Sequence, residues 1–181
     1  MRSPWNLSLV GPAAALPHGE STPRKLQNGD VLLIDTGASL HGYQSDITRT
    51  WIFGDAPNVE AERVWQCVRD TQRAAIDAIR PGVEARTIDT LARSFVASRG
   101  FDGGYREFTH RLGHGIGVEG HEDPYFDGGD RTVLRPGMTL SVEPGLYFEG
   151  RFGVRIEDIV AVTDAGARLF GREQASARAP A

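Results

Sequence analysis

Two stretches of this 181-residue chain set acidic residues symmetrically about a tight turn, and that symmetry restricts the fold more than any other feature. In the first, Asp35 closes the apolar run DVLLID, Asp46 sits in YQSDITRTW, and SLHG lies between them. With Leu40 and His41 as a two-residue hairpin loop, Asp35 falls directly across from Asp46. Opposed side chains share a face, with Cβ atoms about 4.5–5.5 Å apart. A bulge at Gly42 would shift that register by one residue. In the second stretch, Glu143 in TLSVEPG and Glu157 in VRIEDIV are equidistant from Gly150, so a loop centred there pairs them in the same way. Like charges facing each other destabilise a sheet. Two such pairs require a cation.

Four clustered carboxylates carry a formal −4, which two divalent ions cancel; without them, repulsion holds some of the acids protonated. An imidazole is at hand. Three of the five histidines, His110, His114 and His121, fall within twelve residues, and in GHGIG the glycines at 113, 115 and 117 strip bulk from around His114. Carboxylates with one imidazole suit manganese, cobalt, iron or zinc, and no thiolate favours softer ions. Each acid alone reads best as a solvated strand end, but five groups at matched spacing do not. Other chemistries fit less well. Ser39, Ser45 and Ser141 lack a nucleophile-elbow context, and Cys67 lies in a helical pattern with no histidine nearby in sequence. A glycosidase carboxylate pair leaves the histidines without a use. The glycine-rich segment has no strand before it and no helix pattern after it, against a nucleotide loop.

Bulk properties bound the rest. The length suits one domain, and 40% hydrophobic with 24% charged residues is ordinary for a soluble globular chain. A net charge of −4 provides no basic footprint for nucleic acid. One cysteine forms no intrachain disulfide, and no apolar run reaches membrane length. The N-terminal apolar run is broken by Pro4, Gly11 and Pro12, unlike a secretory signal, so a cytoplasmic protein is expected.

The first 27 or so residues, rich in proline, glycine and alanine, read as extended or loop. Strands follow through Asp35 and from Asp46 to Phe53. Val64, Val68, Ala75 and Ile79 mark a helix over 59–79 that Pro81-Gly82 stops. Ile88, Leu91, Ala92, Phe95 and Val96 mark a second over 86–99, with Gly100 suited to its C′ position. Loops flank the glycine-rich segment, and the strands of Glu143 and Glu157 come last. This order predicts an α+β layer, an antiparallel or mixed sheet backed by helices, over residues 1–172, with 173–181 as a frayed tail.

Taken together, IDTGASLHGYQSDITRTW, HRLGHGIGVEGHEDP, SVEPGLY and GVRIEDIVAVT resemble the signature blocks of the pita-bread dinuclear metallopeptidases. The resemblance runs over roughly residues 12–170 and is nearest the Xaa-Pro peptidases, prolidase and aminopeptidase P. It implies a curved antiparallel sheet backed by helices and two divalent metal ions, manganese first, with cobalt, zinc or iron as substitutes. It implies Asp35, Asp46, His114, Glu143 and Glu157 as metal ligands. Asp46 and Glu157 would bridge both ions, Asp35 would hold one, and His114 and Glu143 the other. By position, His121 would meet the substrate carbonyl, and Glu143 would also carry a proton to the leaving nitrogen. His18, His110, Tyr147 and Arg155 would line the substrate site, although Arg155 could instead be a surface partner of Glu157 or Asp158. The implied substrate is a peptide with proline at the second position, hydrolysed by a hydroxide between the two ions; a homodimer is compatible with it. Such enzymes carry an N-terminal portion that has no counterpart here, so an N-terminally truncated catalytic domain is expected. An inactive fragment kept as a binding module, or a methionine aminopeptidase, stays open beside it.

Overall fold

A computed structural model describes residues 2–16, 23–102 and 104–178; His18 lies outside them. The chain opens with a strand, β1 (Arg2–Val10), where an extended or loop segment was expected. Trp5, Leu7 and Leu9 alternate, and Leu9 is buried against Leu33, its partner across the ladder. Pro4 falls in the irregular stretch of register between Arg2 and Trp5, where the ladder is already broken. Gly11, at φ +56°, then turns the chain into a short 3-10 helix (Gly11–Ala15), and Pro12 sits in its first turn, where no N–H is needed.

The first acidic hairpin is β2 (Val31–Leu40) and β3 (Tyr43–Ile52). Its loop is His41-Gly42, at φ +53° and +87°, not Leu40-His41. Both central residues of such a turn need positive φ, which glycine adopts freely and leucine resists. The turn therefore sits one residue further along. Asp35 pairs with Thr48, and Asp46 with Gly37. Every partner moves by two positions, so both aspartates keep the same face and become diagonal neighbours. The close approach survives because Gly37 has no side chain: a Cβ there would meet the Trp5 ring at 2.2 Å.

The two helices follow. Helix α1 (Val59–Ala78) is capped by the Asn58 side chain, which accepts from Ala61 N at 3.1 Å, and carries Glu60 and Glu62 in its first turn. Helix α2 (Ala85–Ser98) ends at Arg99 with Gly100 at φ +80°, as expected of C′. The faces of α1 with Val64, Val68 and Ile76 and of α2 with Ile88, Ala92 and Val96 join Leu33, Ile52, Val142, Val154 and Ile156 in one core. Burying each large side chain contributes about 1.5–3 kcal/mol.

The glycine-rich segment is a strand, not a loop. β4 (Gly113–Gly115) lies inside a five-stranded antiparallel sheet between β5 (Glu122–Phe126) and β6 (Thr139–Val142). Glycines are needed because the neighbouring backbones come close: a Cβ at Gly113 would meet Ser141 O at 2.1 Å, and one at Gly115 would meet Glu122 O at 2.5 Å. The chain then turns back about Gly150 as β7 (Gly145–Phe148) and β8 (Phe152–Arg155), followed by β9 (Asp158–Thr163) and β10 (Gly166–Leu169). One register, symmetric about Gly150, runs from Phe148↔Phe152 to Gly145↔Arg155 and resumes from Val142↔Asp158 to Thr139↔Ala161. Glu143 and Glu157 face each other in the gap, beside Pro144, which has no N–H to give. There Glu157 N bonds Thr48 O at 3.0 Å, tying this ribbon to the first hairpin.

The expected fray does not hold through residue 178. Gln174 is buried; its Nε2 donates to Thr50 O at 2.6 Å, and its Oε1 accepts from Thr50 N at 3.2 Å. The segment is short of apolar residues, so it is fixed by hydrogen bonds to the edge of β3. Gln174→Ala would leave the buried Thr50 N–H unpaired, while Trp65 Nε1 at 3.0 Å still serves Thr50 O, costing about 1–3 kcal/mol and lowering Tm by roughly 2–4 °C per kcal/mol for a chain of this size. An unchanged melting curve would show that the segment adds nothing.

Candidate active site

The fold brings all five expected acid and histidine ligands together. Asp35, Asp46 and Glu157 offer oxygens within 4.8 Å of one another; His114, Glu143 and Glu157, and likewise Asp46, His114 and His121, bring ring nitrogens and carboxylate oxygens within the same distance. His114 Nε2 stands 3.1 Å from Glu143 Oε1 and 4.0 Å from Asp46 Oδ2. Two donors bound to one cation at about 2.1 Å each, near a right angle, stand about 3 Å apart. His114 Nδ1 hydrogen-bonds Gly115 O at 2.9 Å, which places the proton there and turns Nε2 toward the carboxylates.

Two oxygens test whether cations fit. Asp46 Oδ1 and Glu157 Oε1 are buried with no hydrogen-bond partner. Four further carboxylate oxygens are held: Asp35 Oδ1 by Trp5 Nε1 at 3.0 Å, Asp35 Oδ2 by Arg155, Glu157 Oε2 by Thr48 Oγ1 at 2.7 Å, and Glu143 Oε1 by Ser141 Oγ at 3.1 Å. A buried carboxylate oxygen without a donor is costly, and metal ions supply what is missing. The two unpartnered oxygens belong to the acids whose resemblance role is to bridge both ions.

The charges respond to this crowding. Burial, then Asp35 and Glu143, push Asp46 up to about 7. Burial, then Glu143 and Asp46, push Glu157 well above the carboxylate range. Burial also acts against Glu143, but the His114 hydrogen bond and the nearby His110, His114 and Arg155 hold it down at about 2. Burial lowers His110 and His121, keeping both neutral near pH 7. Burial also raises the Tyr147 phenol to about 12, so it stays protonated.

The remaining expected contacts form a directed chain. Arg155 is buried and donates to Asp35, to Thr48 Oγ1 at 3.3 Å and to Tyr147 Oη at 2.9 Å. It is therefore no surface partner of Glu157 or Asp158; Asp158 is held by Arg49 at 2.6 Å. Tyr147 Oη lies 2.8 Å from His110 Nε2, and His110 Nδ1 lies 2.7 Å from Arg111 O. Both His110 nitrogens are thus in use. His121 packs edge-on against His114, with centroids 4.1 Å apart. These groups line a cavity of about 660 Å³ with Trp5, Leu7, Thr109, Arg111 and Gly120.

Sequence reasoning missed the supports. Trp5 could have been found from its alternation with Leu7 and Leu9, and Thr48 from its place two residues after Asp46. Gln72 carries no such signal: it is one polar residue on a helix face, yet its Nε2 reaches Val142 O at 3.0 Å, Ile156 O at 3.3 Å and Asp158 Oδ2 at 3.1 Å. Ser141, considered as a nucleophile, is fully buried and accepts from His114 N at 2.9 Å. Asp89 and Arg93 of α2 hold Leu112 N and the carbonyls of Phe108 and His110.

This combination of ribbons, helices and acidic cluster defines a class, and comparison with known proteins agrees. Residues 3–164 match the model of metallopeptidase family M24, and the chain belongs to that family. It is 46% identical over 158 residues to a probable dipeptidase PepE of Mycobacterium tuberculosis, covering 87% of this chain and 41% of that protein. It is 42% identical over 164 residues to a Xaa-Pro dipeptidase of Pyrococcus furiosus, covering 91% and 46%. The crystal structure of dipeptidase PepE from Mycobacterium ulcerans superposes with a TM-score of 0.91 at 42% identity, over 97% of this chain and 47% of that one. A prolidase from Thermococcus sibiricus superposes at 0.87 with 38% identity, over 93% and 45%. The fold is the pita-bread fold, and the chain spans less than half the length of these relatives.

The raised acids set a pH dependence. A group whose folded pKa lies above its unfolded value stabilises the fold at low pH, and that contribution is lost as pH rises through the folded value. For Asp46 the window is about pH 4–7. The depressed His110 and His121 act oppositely below about pH 6.5. Cations bound between these acids would replace the protons on Asp46 and Glu157, so the gain in Tm from added Mn²⁺ should grow between pH 5.5 and 8. At 100 times Kd the gain is about 2.7 kcal/mol, or roughly 5–11 °C. A gain independent of pH would place the ion elsewhere.

Proposed function

We propose that this protein hydrolyses the peptide bond preceding proline, using two divalent cations, manganese foremost, held by Asp35, Asp46, His114, Glu143 and Glu157. The observation that carries the reading is the pair of buried, donor-less oxygens on Asp46 and Glu157. Bound ions of this kind bring the pKa of water down to about 7 and polarise a carbonyl. The protein's own residues do the rest. Glu143, ionised down to about pH 2, takes the proton of the attacking water and delivers it to the leaving nitrogen. That delivery matters for proline, whose amide nitrogen carries no hydrogen. His121 is neutral and exposed to the cavity, so it can donate to the carbonyl oxygen as charge builds there. Trp5 and Arg155 hold the Asp35 carboxylate in place.

Proline as the leaving residue is supported by the Pyrococcus furiosus relative, named a Xaa-Pro dipeptidase. It favours a proline-directed enzyme over a methionine aminopeptidase. No described helix is long and apolar enough to cross a membrane, and a cytoplasmic peptidase is part of this reading.

The protein should bind two Mn²⁺ per chain. Chelation should stop cleavage of an X-Pro peptide, and Mn²⁺ should restore it. His114→Ala and Glu157→Ala should each cut kcat/KM more than about 100-fold, beyond the 10–100-fold typical of losing a residue behind the ligands, with unchanged far-UV circular dichroism. Undiminished turnover in either folded variant would refute the reading.

A further inference from the structure

One polar residue interrupts the apolar face of α1. Gln72 is buried on the same side as Val68, Ala75 and Ile76. Burying an amide is costly unless its hydrogen bonds are made, so an apolar residue would suit this position better if packing were the only demand. Its Nε2 stands 3.0 Å from Val142 O, 3.3 Å from Ile156 O and 3.1 Å from Asp158 Oδ2. All three are acceptors, which fixes the amide with its N–H groups toward the strands. The register that pairs Val142 with Asp158 and Gly145 with Arg155 sets Pro144 opposite Ile156 and Glu143 opposite Glu157. In an antiparallel ladder a hydrogen-bonded pair exchanges two N–H···O bonds. Ile156 N gives its bond to Pro144 O at 3.5 Å, but proline has no N–H to return. Gln72 supplies that missing donor to Ile156 O from the helix side.

Both glutamates are drawn outward from this gap. Glu143 N bonds Leu112 O at 2.8 Å, beside β4, and Glu157 N bonds Thr48 O at 3.0 Å, on β3. Holding the two strands at one spacing therefore needs a tie across the inner side. We propose that Gln72 is that tie: a positioning residue that takes the place of the Pro144 N–H and sets the separation of Glu143 and Glu157, and with it the fit of the two cations. This rests on the two-cation reading above. Metal sites tolerate only about 0.2 Å in ligand distance. The amide spans the carbonyl immediately before each glutamate, so a slip of either strand carries its carboxylate along. Arg49 secures the far end of the tie, holding Asp158 Oδ1 at 2.6 Å.

The test compares the unmodified protein with Gln72→Met, which keeps the bulk and loses the donors, with Pro144→Ala, which restores the ladder N–H, and with the two combined. Mn²⁺ affinity is read by calorimetry, and amide hydrogen exchange at Glu143 and Glu157 is read in the metal-free protein. Gln72→Met should weaken Mn²⁺ binding about 10–100-fold and speed exchange at both amides about 10-fold. Adding Pro144→Ala should recover most of both losses, a rescue that lost packing alone would not show. Thr71→Ala removes a buried hydrogen bond internal to α1, from Thr71 Oγ1 to Cys67 O at 2.7 Å, and should lower Tm while leaving both readings unchanged. Unchanged Mn²⁺ affinity and exchange in folded Gln72→Met overturn the positioning role. So does a combined variant no better than Gln72→Met, or an equal loss in Thr71→Ala. If Gln72→Met does not fold, Gln72→Asn, whose amide falls short of the strands, carries the same comparison. If the unmodified protein binds no Mn²⁺, the two-cation reading falls, and exchange at the two glutamate amides decides the positioning role alone.

Discussion

Like charge buried at short range governs this structure. Two unit charges 4 Å apart repel by about 4 kcal/mol at an effective dielectric of 20, and here three carboxylates, from Asp35, Asp46 and Glu157, offer oxygens within 4.8 Å of one another, with Glu143 adjacent through Glu157. The fold answers part of that repulsion itself. Trp5, Arg155, Thr48, Ser141 and His114 take up oxygens one by one, each from a different strand. What they leave uncovered, one oxygen on Asp46 and one on Glu157, lies on the two acids common to more than one of these groups. The sheet is thus shaped for protons or cations between its ribbons.

The site's precision comes from polar anchors on the helices. Glu143 and Glu157 sit in the gap of the Gly150-centred ladder, where the two strands lack their regular pairing. One amide closes that gap. Gln72 on α1 donates to the carbonyls of Val142 and Ile156, each one residue before a glutamate, and to Asp158 just after. Arg49 reinforces the same corner, bonding Thr48 O at 2.9 Å and Asp158 Oδ1 at 2.6 Å. On the other side, Asp89 and Arg93 of α2 hold the segment that leads into His114. A rotamer change at any of these residues would move a carboxylate or imidazole without touching it.

The acids could be read from the chain because strand periodicity is forgiving. Sliding the first turn from Leu40-His41 to His41-Gly42 moved each partner by two, and a shift of two preserves the face. The Gly150-centred register was legible because the two glutamates are equidistant from that turn. Other parts left no periodic trace. β1 was hidden by Pro4 and Gly11, which punctuate most sequences as loops but here fall at a register break and a strand end. Gln72 and Gln174 act through single side chains across 70 and 124 residues of sequence, and local pattern carries nothing about such contacts. The missing bulk around His114 was legible in its glycines, but not its purpose at Gly113 and Gly115, which is the close approach of adjacent strands.

The hydrogen bonds around the cavity also have a direction, and it assigns the polar work within the pocket. Arg155 donates to Tyr147, Tyr147 to His110 Nε2, and His110 Nδ1 to the carbonyl of Arg111. The raised Tyr147 and lowered His110 pKa values keep the phenol protonated and the imidazole neutral, so this order persists across the working pH range. His110 then has no nitrogen left to offer a substrate and contributes shape. Asp35 and the Arg111 backbone become the two ends of one fixed chain.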